Sequence, residues 1–287
     1  MIISIASGKG GTGKTTVAAN LALSLQDSGL VEDFNLLDCD VEEPNLHLFL
    51  DPGVVTETEI TTFVPVVDQE KCTGCRKCVD ICRFAALTFV RDKVLVFPAL
   101  CHSCGGCQLV CEFGAIGDDS RSLGVVESGV VNGHAIHSGR IRIGEAMSPP
   151  LIKAVRRHEK EAELTIIDAP PGTSCPVIAA MRGADFVLLV TEPTPFGLHD
   201  LQLAVEAVKV LGIPAGLVIN RADLGDSRVQ EYAEREGLEI LMQIPFERRF
   251  AEAYSRGQSI VDVSPEWREK FQRLYVRIAG IVEAKAS

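Results

Sequence analysis

Gly8-Lys9-Gly10-Gly11-Thr12-Gly13-Lys14-Thr15 is the stretch on which the fold turns. It fits G-x-x-x-x-G-K-S/T, and its flanks are the ones that motif needs. Residues 1–6 are a short apolar run rich in Ile, read as a strand. Residues 15–28 carry Val17, Leu21 and Leu25 at helical spacing and close at Gly29. Strand, glycine loop and helix in that order turn backbone N–H groups and the positive end of a helix toward a phosphate. Lys14 is expected to reach the β- and γ-phosphates and the Thr15 hydroxyl to ligate magnesium. Gly8, Gly10, Gly11, Thr12, Gly13 and Thr16 complete the expected cradle. A plain glycine-rich turn is the lesser reading, because the whole motif stands in its context.

Beyond the loop, residues 34–37 read as a second strand ending at Asp38-Cys39-Asp40. Compact Val/Ile/Leu runs follow at 164–167, 186–190, 215–219 and 238–243, separated by helical patterns at 198–211 and 228–236. Continuous apolar runs between helices argue a parallel sheet covered on both faces, hence an α/β P-loop NTPase fold. The 287 residues suit two domains, and 46% hydrophobic with 23% charged residues is a globular balance. No apolar run approaches the roughly 20 residues of a membrane span, and no basic segment precedes the first one. A cytoplasmic protein is expected. The net charge of −11 lacks the basic footprint of non-specific nucleic-acid binding. The C-terminal helix around 267–282 mixes Glu with Arg and Lys and has no exposed apolar end, so it reads as docked rather than membrane-seeking.

Ten cysteines in a reducing compartment are not a disulfide set, and eight of them fall between Cys72 and Cys111. They form an internal repeat. Cys72, Cys75, Cys78 and Cys82 are echoed by Cys101, Cys104, Cys107 and Cys111, each as C-x2-C-x2-C-x3-C. This is the spacing of bacterial two-cluster ferredoxins, in which the fourth cysteine ligates the other cluster. One 4Fe–4S cluster is thus expected on Cys72, Cys75, Cys78 and Cys111, the second on Cys82, Cys101, Cys104 and Cys107. Structural zinc, the alternative, favours paired C-x2-C knuckles. Ferredoxins usually place Pro after the fourth cysteine; here Arg83 and Glu112 stand there. Two hairpins are expected, 87–90 with 94–97 around residues 91–93, and 125–131 with 134–143 around Asn132-Gly133. The domain reading is a discontinuous NTPase domain, 1–62 and 120–287, interrupted by a ferredoxin-like α+β domain at 63–119.

The extra lysine in the loop, Lys9, makes it resemble the deviant phosphate loop K-G-G-x-G-K-T of the MinD/ParA/Mrp and nitrogenase iron-protein superfamily. The resemblance covers the chain outside the cysteine segment. It implies an ATP-dependent homodimer in which Lys9 reaches the partner's nucleotide. Asp38-Cys39-Asp40 resembles the family's first switch, with Asp40 orienting the attacking water and Asp38 in the magnesium shell. Residues 166–173, containing Asp168 and Gly172, resemble the D-x-P-P-G-T of its Walker B and second switch. The resemblance puts Asp168 on magnesium and the Gly172 N–H near a γ-phosphate. Asn220-Arg221-Ala222-Asp223 resembles a base-recognition motif, with Asn220 at the base; it also resembles the guanine reader of related GTPases, so GTP stays open beside ATP.

Cys39 reads as a small buried residue. Cys175 reads chiefly as a buried or capping thiol, although nitrogenase iron protein has a cluster cysteine in a similar place. His102, His134 and His137 read as surface or packing residues rather than ligands. The leading function is an ATPase coupling dimer switching to electron transfer or to assembly of an iron–sulfur or metal cofactor on a client protein. A MinD/ParA-like spatial organiser with structural or redox-sensing clusters, and an electron carrier with a vestigial nucleotide site, are the alternatives.

Overall fold

In the computed structural model, which describes residues 1–286, the chain forms two compact units. The first comprises Met1–Glu57, Val126–Arg140 and Ile152 onward; the second comprises Thr58–Val125 and Ile141–Leu151. Strands are β1 Ile2–Ala6, β2 Phe34–Asp38, β3 Thr56–Val67, β4 Leu87–Val90, β5 Lys93–Val96, β6 Ile116–Val131, β7 His134–Ile141, β8 Leu164–Asp168, β9 Phe186–Thr191, β10 Ala215–Asn220 and β11 Glu239–Ile244. The helices include α1 Lys14–Leu25, α2 Lys77–Ile81, α3 Gly106–Leu109, α4 Pro149–Val155, α5 Cys175–Met181 and α6 Pro195–Leu211. Then follow α7 Arg228–Glu236, α8 Arg248–Tyr254, α9 Ile260–Val263 and α10 Glu266–Ala286.

The first unit is built on strands in the order β11-β10-β9-β1-β8-β2-β7. Every neighbouring pair in that run is parallel. The central strands β1, β2, β8 and β9 are buried along their whole length, which is why they read as mostly apolar runs, with Ser4, Asn35 and Thr165 the buried polar exceptions in their interiors, instead of alternating ones. On one side of this sheet, α1 brings Val17, Leu21 and Leu25 into the same core as Trp267, Phe271, Leu274 and Ile278 of α10. The spacing of those four α10 residues is one apolar helical stripe. Gln272 donates to the Ser24 carbonyl at 2.8 Å, and Arg268 donates to that of Leu23. The C-terminal helix is therefore docked.

The second unit shows the cysteine repeat as a repeat in space. Three matching positions in the two copies take left-handed backbone: Gly74 with Ser103, Arg76 with Gly105, and Ala85 with Gly114. Arg76 and Gly105 precede the short helices α2 and α3. Ala86 N–H donates to Cys82 Sγ at 3.3 Å, and Ala115 N–H donates to Cys111 Sγ at 3.3 Å. Ala86, Leu87, Val94 and Ile116 pack with Cys78, Cys101 and Cys107 into a small apolar cluster.

Several elements differ from the sequence reading. Helix α1 stops at Leu25, short of Ser28, because Asp27 takes left-handed backbone and Ser28 Oγ caps the Leu25 carbonyl at 2.7 Å. The β4–β5 turn is the two residues Arg91-Asp92, both with positive φ, so that Val90 pairs with Lys93. Asn132 and Gly133 do turn the β6–β7 hairpin with positive φ, but β6 begins far upstream at Ile116. The second unit also takes in Ile141–Leu151, where the reading had placed its limits at 63 and 119. Arg142 N–H bonds the Leu123 carbonyl at 2.8 Å, and Arg121, half-enclosed, pairs with the buried Glu145 carboxylate.

Replacing Phe271, fully buried between α10 and the core, with Ala is expected to cost about 3–5 kcal/mol. Urea unfolding followed by far-UV circular dichroism should show a lower midpoint with an unchanged m-value.

Candidate functional site

Parallel strands deliver their carboxyl ends to one edge of the sheet, and in open α/β sheets that edge is where ligands bind. Here the ends of β1, β2, β8 and β10 present the glycine loop, Asp38, Asp168 and Asn220. Register fixes the neighbours: Asp38 lies opposite Asp168, and Asp168 opposite Ile5. The loop then closes over this edge. Gly13 has φ of 100°, and a Cβ there would stand 2.5 Å from Asn220 Nδ2. Asn220 Nδ2 in turn donates to the Thr12 carbonyl at 2.8 Å. The glycine is required twice over, by its backbone and by the amide packed against it.

Lys14 opens α1 with its side chain 5% exposed. Thr15 Oγ1 donates to Asp168 Oδ2 at 2.5 Å. The other carboxylate oxygen, Asp168 Oδ1, is buried without a hydrogen-bond partner. Burial pushes the Asp168 carboxyl up to about 7, against the pull of Lys14 and the Thr15 hydroxyl. Burial likewise raises Asp40 to about 6, again opposed by Lys14. Asp38 is also raised, by burial first and by the nearby Asp168 second. Asp40 and Asp168 are both raised by burial despite Lys14, so a further positive charge there would favour their ionised forms, and one oxygen of Asp168 is free to meet it. A hard divalent cation with oxygen ligands fits that arrangement, with Thr15 and Asp168 as the groups positioned to hold it.

Asp38, expected in the magnesium shell, already accepts backbone hydrogen bonds on both oxygens. Its Oδ1 accepts from Asp40 N at 3.1 Å, and its Oδ2 accepts from Asn45 N and Leu46 N at 3.0 Å each. A carboxylate bound to three backbone N–H groups holds the loop that carries Asp40. The Gly172 N–H is donated to the Ser7 carbonyl at 3.0 Å, with Gly172 at φ 99°. Lys9 is half-buried, with its carbonyl accepting from Ser7 Oγ. A cavity of about 400 Å³ opens beside the loop, lined by Lys14, Thr15, Asp40, Asn220, Phe246 and Tyr254 among others.

Phe246 and Tyr254 lie between the strand read at 238–243 and the helix read at 267–282 and belong to no motif; the one local signal is the Pro245-Phe246 step after the strand. Asp223 Oδ1 accepts from Phe246 N at 2.6 Å, which ties the residues after Asn220 to this wall. Arg221 pairs with Glu192 at 2.8 Å.

In the second unit, Cys72, Cys75, Cys78 and Cys111 line one small cavity. This is the crossed set expected from the spacing, with the fourth cysteine of the other copy. Burial raises the Cys78 thiol, with Cys72 and Cys75 adding to the rise. Burial raises Cys107 in the same way, with Cys101 and Cys104 contributing. Ser103 N–H donates to Cys101 Sγ at 3.4 Å, as Ala86 and Ala115 do to Cys82 and Cys111. Convergent sulfurs with backbone N–H donors aimed at them suit an anionic thiolate-held cluster. Lys77 bridges to Glu112 at 2.5 Å beside this cavity, one of the two residues standing where ferredoxins carry Pro.

Cys39 is fully buried, and burial pushes its thiol up. Cys175 is exposed at the first position of α5, so it is not the buried thiol expected. The reason is local: Ser174 is the residue before the helix, and Val177, Ala180 and Met181 set the inward face, leaving Cys175 outward. His102 stacks on Phe84 at 3.7 Å and His134 on Phe34 at 3.9 Å, both as packing residues.

The family model described as the CobQ/CobB/MinD/ParA nucleotide binding domain matches residues 3–260. An uncharacterized protein of Methanocaldococcus jannaschii is 32% identical over 267 residues, 91% of each chain. An iron-sulfur cluster carrier protein of Aquifex aeolicus is 25% identical over 309 residues, spanning 100% of this chain and 69% of that one. Among solved structures, the cell division ATPase MinD of Pyrococcus furiosus superposes with a TM-score of 0.58 at 23% identity, covering 98% of both chains. That likeness shows the fold.

The raised carboxyls predict a pH dependence of stability without ligands. The folded chain holds protons on Asp168 up to about pH 7 and on Asp40 up to about pH 6. Unfolded, these groups release them near ~3.9. Between those limits the folded state binds more protons, so stability falls as pH rises. Asp168→Asn should flatten this slope and raise stability at pH 7–8 by an amount on the order of a few kcal/mol. Thermal melts of the magnesium- and nucleotide-free protein across that range check it.

Proposed function

The chain belongs to the CobQ/CobB/MinD/ParA nucleotide-binding family, and on that premise we propose that it is an ATP-hydrolysing iron–sulfur protein. In this reading, nucleotide-driven closure of a homodimer is coupled to electron transfer or to delivery of an iron–sulfur or metal cofactor to a client protein. The observation that carries the ATPase half is the Thr15–Asp168 pair with its unpartnered buried oxygen beside Lys14. The crossed cysteine set around one cavity supports the cluster half.

The proposed roles are as follows. Thr15 and Asp168 hold magnesium, which neutralises charge on the β- and γ-phosphates. Lys14 lies against those phosphates, and the backbone of Gly8 through Gly13, with Lys9 and Thr16, wraps them. Asp40 orients the water that attacks the γ-phosphorus; the bond to the β,γ-bridging oxygen breaks, giving ADP and phosphate. With its carboxyl raised toward neutrality, Asp40 sits in the range where a carboxylate can accept that water's proton. Asp38 acts through Asp40 by fixing its loop. The Gly172 N–H, now on Ser7, exchanges that partner for a γ-phosphate oxygen, which makes the loop after β8 responsive to hydrolysis. Lys9 serves the partner's nucleotide across the dimer, and Asn220 lies at the base side of the cavity.

The clusters, on Cys72, Cys75, Cys78 and Cys111 and on Cys82, Cys101, Cys104 and Cys107, supply one-electron chemistry. The Aquifex relative's name, iron-sulfur cluster carrier protein, favours the cofactor-delivery branch. Against it, Cys175 is followed by Pro176, Val177 and Ile178, with no C-x-x-C pair there. No helix among the described residues is long and apolar enough to cross a membrane. The net charge of −11 gives a nucleic-acid-bound organiser no support.

Two measurements test the reading. Asp40→Asn is expected to keep ATP affinity while lowering turnover by about 10²–10⁴-fold, read by phosphate release and by calorimetric titration. With clusters reconstituted anaerobically, both midpoint potentials and the solution mass should change between no nucleotide, ADP and a non-hydrolysable ATP analogue. Unchanged potentials in a chain that stays monomeric throughout would refute the coupling.

A further inference from the structure

Away from both sites, His137, His158 and Glu161 bring their ligating atoms within 4.8 Å of one another. They come from separate segments of the first unit: β7, the short turn Arg156–His158, and the loop that leads into β8. The two imidazole rings stack with centroids 3.8 Å apart and planes 7° from parallel. His158 Nδ1 lies 2.8 Å from Glu161 Oε1. His137 Nε2 faces Glu161 Oε2 across 3.7 Å.

His137 is the telling member. It is 6% exposed, and its Nε2 is buried with no hydrogen-bond partner. Its Nδ1 lies 2.7 Å from Ser128 Oγ on β6. A buried imidazole nitrogen left unpaired is costly, and 3.7 Å is too long for a hydrogen bond to Glu161. It is close to another spacing. Two N/O ligands at about 2.0–2.2 Å from one tetrahedral metal stand ~3.3 Å apart. If Nδ1–H is donated to Ser128 Oγ, the tautomer leaves the Nε2 lone pair facing the carboxylate, the second-sphere arrangement metal-ligating histidines use.

The scaffold beneath is fixed. Arg156 Nη1 donates to the Ala179 carbonyl at 2.7 Å, Asn35 Nδ2 to that of His158 at 2.5 Å, and Thr165 Oγ1 to that of Glu159 at 2.6 Å. Glu161 itself is exposed, which leaves an entry path.

We propose that His137 Nε2, an imidazole nitrogen of His158 and the Glu161 carboxylate form a binding site for a divalent transition cation of the zinc class. Two imidazoles and one carboxylate select such an ion over magnesium or calcium, which prefer all-oxygen shells. Three protein ligands leave a fourth position for water. To bind, His158 gives up its hydrogen bond to Glu161 and tilts from the stack so that both rings converge. The ion then ties β7 to the turn before β8, the strand that ends in Asp168. This site depends on neither the nucleotide nor the cysteine reading.

The test uses the full chain, loaded with zinc and desalted, beside His137→Gln, Glu161→Gln and Ser128→Ala. Elemental analysis should find one more zinc per chain in the wild type than in H137Q or E161Q. X-ray absorption on that extra zinc should show an N/O shell at about 2.0–2.1 Å without sulfur at about 2.3 Å, separating it from zinc taken by the cysteines. Zinc should raise the thermal midpoint of the wild type by more than that of E161Q, whose exposed position leaves folding intact. Ser128→Ala should weaken binding by about 10–100-fold. Equal zinc content in wild type and variants, or a sulfur-only shell for the extra metal, would overturn the proposal.

Discussion

A carboxylate that is wholly buried, bonded through one oxygen to Thr15 and unpartnered at the other, is the constraint around which the first unit is arranged. Such a group is unfavourable unless something cationic meets it. Lys14 supplies part of that charge, and a bound cation would supply the rest. The parallel sheet makes the arrangement possible. Its central strands need no polar faces, so they can be buried end to end, and all their carboxyl termini open on one edge. Asp38 is also buried there, but three backbone N–H groups stabilise it. The two aspartates differ in what burial supplies them: Asp38 has backbone donors on both oxygens, and Asp168 has one oxygen without a partner.

The second unit answers a different physical demand. Its apolar cluster is small, and three cysteines belong to it. Short helices begin at left-handed residues, and loops turn N–H groups onto sulfur instead of onto oxygen. A segment with so little apolar material gains from an additional tie, and the four thiols that line one cavity are suited to provide one. Its local geometry duplicates position by position because the sequence does.

Legibility in the sequence tracked the range of the interactions concerned. The phosphate loop, the strand runs, the Asn132-Gly133 turn and the crossed cysteine set were readable because each is encoded within a few residues or by a repeat. β3 was not read, since its first half carries Thr and Glu on both faces and gives no apolar period. The recruitment of Ile141–Leu151 was hidden for a related reason: Arg121 and Glu145 make a pair only when folded. Phe246 and Tyr254 belong to no motif, and only packing brings them to the cavity wall.

By itself the sequence determined the class of fold, the place of the glycine loop between β1 and α1, and the two-fold repeat of cysteines, because apolar runs, backbone conformation and residue spacing are local properties. The tertiary structure decided what each polar group is free to do. It assigned the oxygens of Asp38 to the 40–46 loop, left one oxygen of Asp168 open, turned Cys175 outward, and set His137 beside His158 and Glu161. Those outcomes depend on which partners burial supplies or withholds, and partners distant in sequence are chosen only when strands pair and helices pack.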